Sequence, residues 1–593
     1  MSRLPTSTPS DRIVWLVTIH AHGDPIRIAT ADVDVSDAAT GQTWHYAGDV
    51  ASLDVSEAGG AAGEDAAGVS VPVEALLTTS QAARIALRVV EVAQWVEGTD
   101  YAQRRVIVTG QVVNPEWGRE GEPCSFSAES RLWTDPVLIP SATALVDGTT
   151  WDHAETAHPG VLGSIYPTII GRPGVVSTTW SSTGRITGSE GLVVWDDPSD
   201  HTTIISGVGL LIAGHHVSAT RVYLSCDASS TTRFWVRNAY DQRGQPIAWV
   251  PWYQRLTGGS YTPDEYEYDA VWVGGGGTYH PKVNPDTDGS VTYALGDHLV
   301  YPTFIAQDLS VWVTWDDDIG SGGGLTWRGE TLRNAADVLE WAASQTGLPV
   351  DTAAFRAARA QLAGFLVDAV IEERVSPWEW VKSNLLPWLP VSLAVGSGGV
   401  YPVVMRTDAR PEHATLRIDA DTDLAVSRSG TIHEDTSNIA NNITVNYARS
   451  IKDGVYRAKV TVGPGPYDSA TPTTHVSAYC RESASRYRYA NGQPMIVDVS
   501  IDIAATCDDA TALSVGHSVA RSRALAKRTV SYTLPVAGYG PRVALGVVAI
   551  VTEAAVDLDD AVGLVEDVSW SQDGRDVVVT IWLLPDSSAW GAT

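Results

Sequence analysis

Basic residues, cysteine, phenylalanine and long apolar runs are scarce in this 593-residue chain. Its 40 Lys and Arg are set against 70 Asp and Glu, a formal net charge of −30. A surface that grips phosphates needs clustered cations, so the charge argues against a nucleic-acid-binding protein. A conduit for DNA stays open, because an acidic wall repels DNA and does not trap it in transit. The four cysteines, Cys124, Cys226, Cys480 and Cys507, lie far apart with no paired spacing. They read as lone buried thiols, and neither a disulfide framework nor a zinc site is indicated. No run reaches the roughly 18 apolar residues of a membrane helix. The opening MSRLPTSTPSDR has no apolar core of a signal peptide, so synthesis in the cytosol as a soluble product without Sec-type export is expected. Catalytic signatures are missing too. There is no G-x-S-x-G, no H-E-x-x-H, no P-loop and no dinucleotide fingerprint, since Gly274–Gly277 precedes no helical pattern. Carboxylate pairs are found by chance among 70 acids and carry no weight. No catalytic, cofactor-binding or metal residue is assigned, no cofactor is expected, and the chain is not read as an enzyme.

What is present is β pattern and tryptophan. With 44% hydrophobic residues the chain can bury several cores, and roughly 150 residues per domain predicts about four domains. The fold class expected is mainly β with a smaller α/β part: several β-barrel or sandwich domains plus an α/β module. The divisions are 1–133 (N-terminal β domain), 134–324 (β insertion or middle domain), 325–413 (α/β module) and 414–593 (C-terminal β domain with one helix). In the first, IVWLVTIHAH, IRIATADVDV and RRVIVTGQVV read as strands, with a partly helical passage between Thr79 and Glu97. The 22 Trp against 5 Phe point to extensive interfaces, because Trp suits surfaces that are half apolar and half wet.

The α/β module organises the chain. Leu332, Ala336, Leu339 and Ala343 recur at helical spacing before Gly347, a left-handed stop. Asp351 stands as an N-cap before a second helix carrying Phe355, Ala358 and Leu362 and ending at Gly364. Phe365 to Ile371 reads as a strand. Ser376-Pro377-Trp378-Glu379 predicts a capping box with Pro at N1, where no donor is needed. VSLAV, GSGG and VYPVVM form a hairpin. A β block from Ala414 to Val499 follows, then a helix from Thr506 to about Lys527 with a Thr506/Asp509 cap, then three closing strands.

Each possible site competes with a plainer reading. His20 and His22 project from one strand face, as metal ligands do, but no third ligand accompanies them, and ordinary strand histidines are the stronger reading. His215-His216 alternate faces. Asn284-x-Asp286-x-Asp288-Gly289 starts like a calcium loop, yet position twelve is Leu295 where a bidentate Glu is required. Asp419, Asp421 and Asp423 share a strand face and read as solvated; Asp316–Asp318 stay open. The pairs Trp378/Trp380 and Trp249/Trp252 read as packing ahead of carbohydrate platforms.

The C-terminal half carries a resemblance. LRNAADVLEWAASQTGLPVD is followed by the helix pair and GGVYPVV, then by NIANNITVNYARS with Asn441, Ile443, Val445 and Tyr447 in an N-x-[IV]-x-V-x-Y pattern. RYRYANGQPMIVDV precedes the helix beginning TCDDATAL, and the chain closes with LGVVAIVTEAAVDLDDAVGLVEDVSWSQDGRDVVVTIWLL. From Glu330 to Leu584 this resembles the tail-tip or baseplate hub proteins of tailed bacteriophages, the group that includes the lambda-type tip attachment protein and the hubs of gene transfer agents. Gly546-Val547 departs from the Gly-Asp common there, and Ala490-Asn491-Gly492 replaces a simpler Tyr-Gly. The resemblance implies a structural virion protein at the tail tip or baseplate, a homotrimeric ring closing the distal end of the tail tube. Its implied partners are a distal tail protein ring, the tape-measure protein and tail fibre or spike proteins, with contact to the host cell surface also open. DNA would pass through transiently without specific binding, along an acidic face. Such hubs have no catalytic residues to carry over. Two other readings stay open: a host-glycan receptor-binding tail protein or depolymerase, and a cell-wall hydrolase fused to a tail component, which no motif supports.

Overall fold

A computed structural model describes residues 12–21, 23–58, 70–119, 121–130, 137–140, 168–173, 325–371, 373–396, 399–449, 454–465, 474–571 and 575–585, with the backbone of short strands between 185 and 314. The chain is mainly β, in several sheets, with a smaller helical share. Among the described residues no helix is long and apolar enough to cross a membrane.

The first sheet has seven strands, with Ile13–Ile19 paired to Ile26–Ala29 on one side and Val89–Val96 on the other. Every residue of Ile13–Ile19 is buried. That explains its unbroken apolar sequence: one face meets the main core, and the other packs with Val35, Tyr46 and Trp95 in a small second core. The partly helical passage resolves into one turn, Thr79–Ala82, closed by a capping box between Thr78 and Gln81, then the strand Val89–Val96.

The last sheet has eight strands. Leu416–Asp419 lies parallel to Val548–Glu553, followed in order by Leu558–Trp570, Asp576–Leu583 and Lys527–Pro535. Its eighth member comes from the other end of the chain: Val55–Ala58 pairs antiparallel with Leu558–Trp570. The two terminal β units share one hydrophobic core, in which Trp15, Val92 and Phe126 join Tyr532, Leu564 and Ile581. At their junction the Trp15 indole donates to the Ser571 carbonyl at 3.4 Å, and the Arg105 guanidinium lies 4.6 Å from the Trp570 ring centroid.

The second large core belongs to the α/β unit. Ala335–Gln345, capped by Asn334, buries Val338, Leu339, Trp341 and Ala342. Thr352–Gln361, capped by Asp351 as expected, buries Phe355 and Ala358. Gly347 takes a positive φ of 75°, and the hairpin forms between Val391–Gly396 and Gly399–Val404. Three local expectations need correction. The capping box at Ser376 does not form: Ser376 is the N-cap and Pro377 opens the helix, but no side-chain cap bond is made and Glu379 is exposed. The helix expected from Thr506 spans Asp509–Arg523 and is capped by Asp508, not Thr506, because Thr506 is buried and the Cys507 amide is drawn to Asp368 at 3.2 Å. The β block from Ala414 is also divided: its first strand joins the eight-stranded sheet, whereas Asn442–Arg449 and Tyr456–Gly463 join the α/β unit.

The middle of the chain is an excursion from that unit. Thr168–Ile170 pairs with Ala369–Ile371, and Ile139 exchanges two backbone bonds with Val375 at 2.8 and 2.9 Å. Leu325 then donates back to Ile169 at 2.7 Å, and Gly171 donates to Leu332 at 2.8 Å. The exit and return points therefore lie side by side. The described strands between 185 and 314 pair only with one another.

Candidate functional site

Only some of the singled-out residues are among those the structure describes. His20 is exposed at the end of its strand, while His22, His215-His216, the calcium-loop residues Asn284, Asp286, Asp288, Gly289 and Leu295, and Asp316–Asp318 lie outside the described residues, as do the side chains of Trp249 and Trp252. Trp378 and Trp380 are buried, and Trp380 packs edge-on against Trp341 with centroids 6.4 Å apart. That pair is core and offers no platform to a sugar.

Asp419, Asp421 and Asp423 lie at the surface, as the solvated reading expected, but in a turn at the end of the Leu416–Asp419 strand and not along a strand face. Asp419 Oδ1 accepts from the Asp421 and Thr422 amides at 3.2 and 3.0 Å. The Thr422 hydroxyl and amide, then the Asp421 amide, hold its carboxyl below the usual range. Asp421 accepts from the Ala554 amide. Asp423 accepts from the Tyr539 hydroxyl at 2.8 Å, and burial followed by that carboxylate pushes the phenol up to about 12. Each acid is occupied in holding the turn. Among the described residues no three His, Cys, Asp or Glu side chains converge as metal ligands.

No local pattern marks Asp368, which accepts four hydrogen bonds. It is buried, and its Oδ1 accepts from Arg333 Nε at 2.7 Å and from the Arg172 amide at 2.7 Å. Its Oδ2 accepts from Arg333 Nη2 at 3.1 Å and from the Cys507 amide at 3.2 Å. One carboxylate thus joins the base of the excursion, the lead-in to the Ala335–Gln345 helix and the lead-in to the Asp509–Arg523 helix. Gly171 is required beside it: at φ 64° a Cβ would stand 2.1 Å from the Val367 carbonyl and 2.5 Å from Asp368 Oδ1. These groups position elements and leave no open donor or acceptor array for a substrate.

The surface with features of an interaction site is the four-stranded sheet, in the order Thr474–Val476, Tyr456–Gly463, Asn442–Arg449, Asp498–Asp502. Its inner face holds the quoted motif. Asn441, Ile443, Val445 and Tyr447 are all buried. Asn441 accepts from the Val497 amide at 2.8 Å and donates to Ser483 Oγ at 3.0 Å and the Met495 carbonyl at 2.8 Å. Tyr447 donates to Asp509 Oδ1 at 2.8 Å, and burial together with Asp509 raises its pKa. Gly516 lets the Asp509–Arg523 helix sit against Val462, where a Cβ would be 2.7 Å from that side chain. The motif is therefore a packing device, and the residues between its members make the outer face. Asn442 donates to Asp498 at 2.6 Å, and Asn446 donates to Ser500 at 2.9 Å and Asp502 at 2.7 Å. Thr444 meets Thr461 at 3.4 Å. This polar ladder faces away from the helices. The helix Ala478–Arg486 behind it was missed in the sequence because its buried residues, Cys480, Ser483 and Ala484, are small or polar.

No family model matches the chain, and no curated protein does. Solved structures that it resembles include the tail protein from Neisseria meningitidis MC58, at 10% identity and TM-score 0.30, covering 97% of both chains. Another is the 43 kDa tail protein of prophage MuSo2 from Shewanella oneidensis, at 8% identity and TM-score 0.29, covering 95% of this chain and 98% of that one. A third is prophage tail protein gp18 from Listeria monocytogenes EGD-e, at 6% identity and TM-score 0.21, covering 61% and 94%. Likeness at these TM-scores carries no argument of its own.

Proposed function

We propose that the chain is a structural protein of a bacteriophage tail, the tail-tip or baseplate hub that closes the distal end of the tail tube. In this reading it forms a homotrimeric ring, anchors the tape-measure and fibre or spike proteins, sits below a distal tail protein ring, and lines part of the DNA ejection channel with an acidic wall. The observation that carries the reading is the motif strand. Asn441, Ile443, Val445 and Tyr447, the residues of the hub resemblance, fix one sheet against the Asp509–Arg523 helix and leave a polar ladder on its other face. The shared core of the two terminal β units adds support, since it gives a stiff body suited to an assembly. The net charge of −30 fits a wall that DNA slides past.

Gold-labelled antibody against the chain, applied to particles from a host that carries the gene, tests the placement. Label at the distal end of the tail is expected. Label on the head, or along the tail shaft, would remove the hub reading.

A further inference from the structure

Both outer strands of the four-stranded sheet have one strand partner each among the described residues. Which backbone groups of these strands turn away from the partner strand can be read from the bonds that are made. Asn441 and Asn442 donate to the Val497 carbonyl, and Ile503 donates to the Asn446 carbonyl. Odd-numbered residues of the Asp498–Asp502 strand therefore turn their backbone groups inward, and Asp498, Ser500 and Asp502 turn theirs outward, since backbone direction alternates along a strand. At the other edge Ser477 donates to Gly463, so His475 faces its partner strand, and the backbones of Thr474 and Val476 face outward.

Natural edges are blunted by very short strands, charged side chains, Pro, a bulge or a cover, and of these the two edges here have shortness and, on one of them, Asp498 and Asp502. The Asp498–Asp502 strand, DVSID, has no Lys and no Pro, and its register with Asn442–Arg449 runs without a bulge. Just before it, Tyr489 and Ile496 are 50% and 38% exposed, apolar surface beside the edge. The two outer strands are antiparallel to each other, because each is parallel to its own neighbour and those neighbours are antiparallel. Charge on the outer face is also divided. Asp498 and Asp502 stand at one edge, and exposed Lys459 stands on the strand next to the other. Copies set head to tail bring the acids of one toward Lys459 of the next.

We propose that this sheet continues between copies of the chain: the outer side of the Asp498–Asp502 strand takes the Thr474–Val476 strand of a second copy, antiparallel. The contact is heterologous, and it ends without a free edge only if the copies close into a ring. The inference rests on the ring proposed above and names the strands that join it.

The full-length protein is tested by sedimentation velocity over a concentration series, with three variants. Ser500→Pro removes one outward N–H and the Oγ that accepts from Asn446, which keeps its bond to Asp502, and leaves the inward backbone ladder intact; it is expected to weaken assembly at least tenfold while the far-ultraviolet spectrum and melting temperature stay near the parent values. Lys459→Glu is expected to weaken assembly more at low salt than at high salt. The double variant Thr474→Cys/Ser500→Cys, treated with a short thiol-specific cross-linker, is expected to give covalent trimers under denaturing electrophoresis, and either single variant none. A trimer that forms but neither cross-links nor responds to Ser500→Pro overturns this pairing and leaves the ring reading standing. Cross-linking into dimers or open ladders supports the pairing and overturns the trimer. A protein that stays monomeric throughout and yields no cross-link overturns the pairing.

Discussion

Asp368 accepts four hydrogen bonds from three separate parts of the chain. Truncating one partner of a buried ion pair leaves the other charge without compensation, so Asp368→Ala is expected to cost about 3–5 kcal/mol, read as a lower midpoint in urea unfolding. His517 is a second residue with a measurable consequence. Burial first, then the charges of Arg521 and His475, lower its pKa from the free value of 6.5. The fold thus favours neutral His517. As pH falls below 6.5 the unfolded chain takes up a proton that the fold resists, and stability is lost progressively toward the lowered pKa. Melting temperature should fall between pH 7 and 5, and less steeply in His517→Gln. An equal slope in the variant would show that His517 contributes nothing to it.

At the scale of elements, the caps separate what a motif implies from what it does. Asp351 accepts from the Ala354 amide at 3.0 Å, so Asp351→Ala should cost about 1 kcal/mol. Ser376 makes no side-chain cap bond, so Ser376→Ala should stay within about 0.5 kcal/mol of the parent. Chemical denaturation of the two variants side by side checks both. The Ser376 motif offered two reciprocal bonds, but Pro377 already fixes the first turn, and Trp378, Trp380 and Val381 bind that helix to the core. Capping is redundant where burial sets the helix position.

For the whole molecule, the middle of the chain leaves and rejoins the α/β unit at neighbouring points. The Leu325 amide bonds to the Ile169 carbonyl, and Asp368 fastens the base through the Arg172 amide. Loop closure across such a gap costs little, because the ends are already together. Replacing residues 174–324 with a short Gly-Ser linker is therefore expected to leave the remaining body folded, its melting temperature within about 4 °C of the parent. Loss of cooperative unfolding in that variant would show that the excursion supports the core. The Val55–Ala58 strand has the opposite property. Because it is built into the C-terminal sheet, the two terminal β units are bound to each other through backbone ladder bonds as well as the shared core.

By itself the sequence determined the β character, the helices Ala335–Gln345 and Thr352–Gln361, the Asp351 cap and the Val391–Val404 hairpin, because hydrophobic period, capping chemistry and glycine freedom act within one turn or one strand. It did not determine partnerships between distant segments. Nothing local to VSEA marks Val55–Ala58 as a strand of the last sheet, and nothing near Asp368 foretells Arg333, Arg172 and Cys507 as its partners. The motif Asn441-x-Ile443-x-Val445-x-Tyr447 was visible in sequence, but which of its two faces meets the helix and which stays open was decided by the Asp509–Arg523 helix packing through Gly516. Those outcomes depend on which surfaces meet when the chain closes on itself, and contact between residues tens to hundreds of positions apart leaves no periodic trace in either segment.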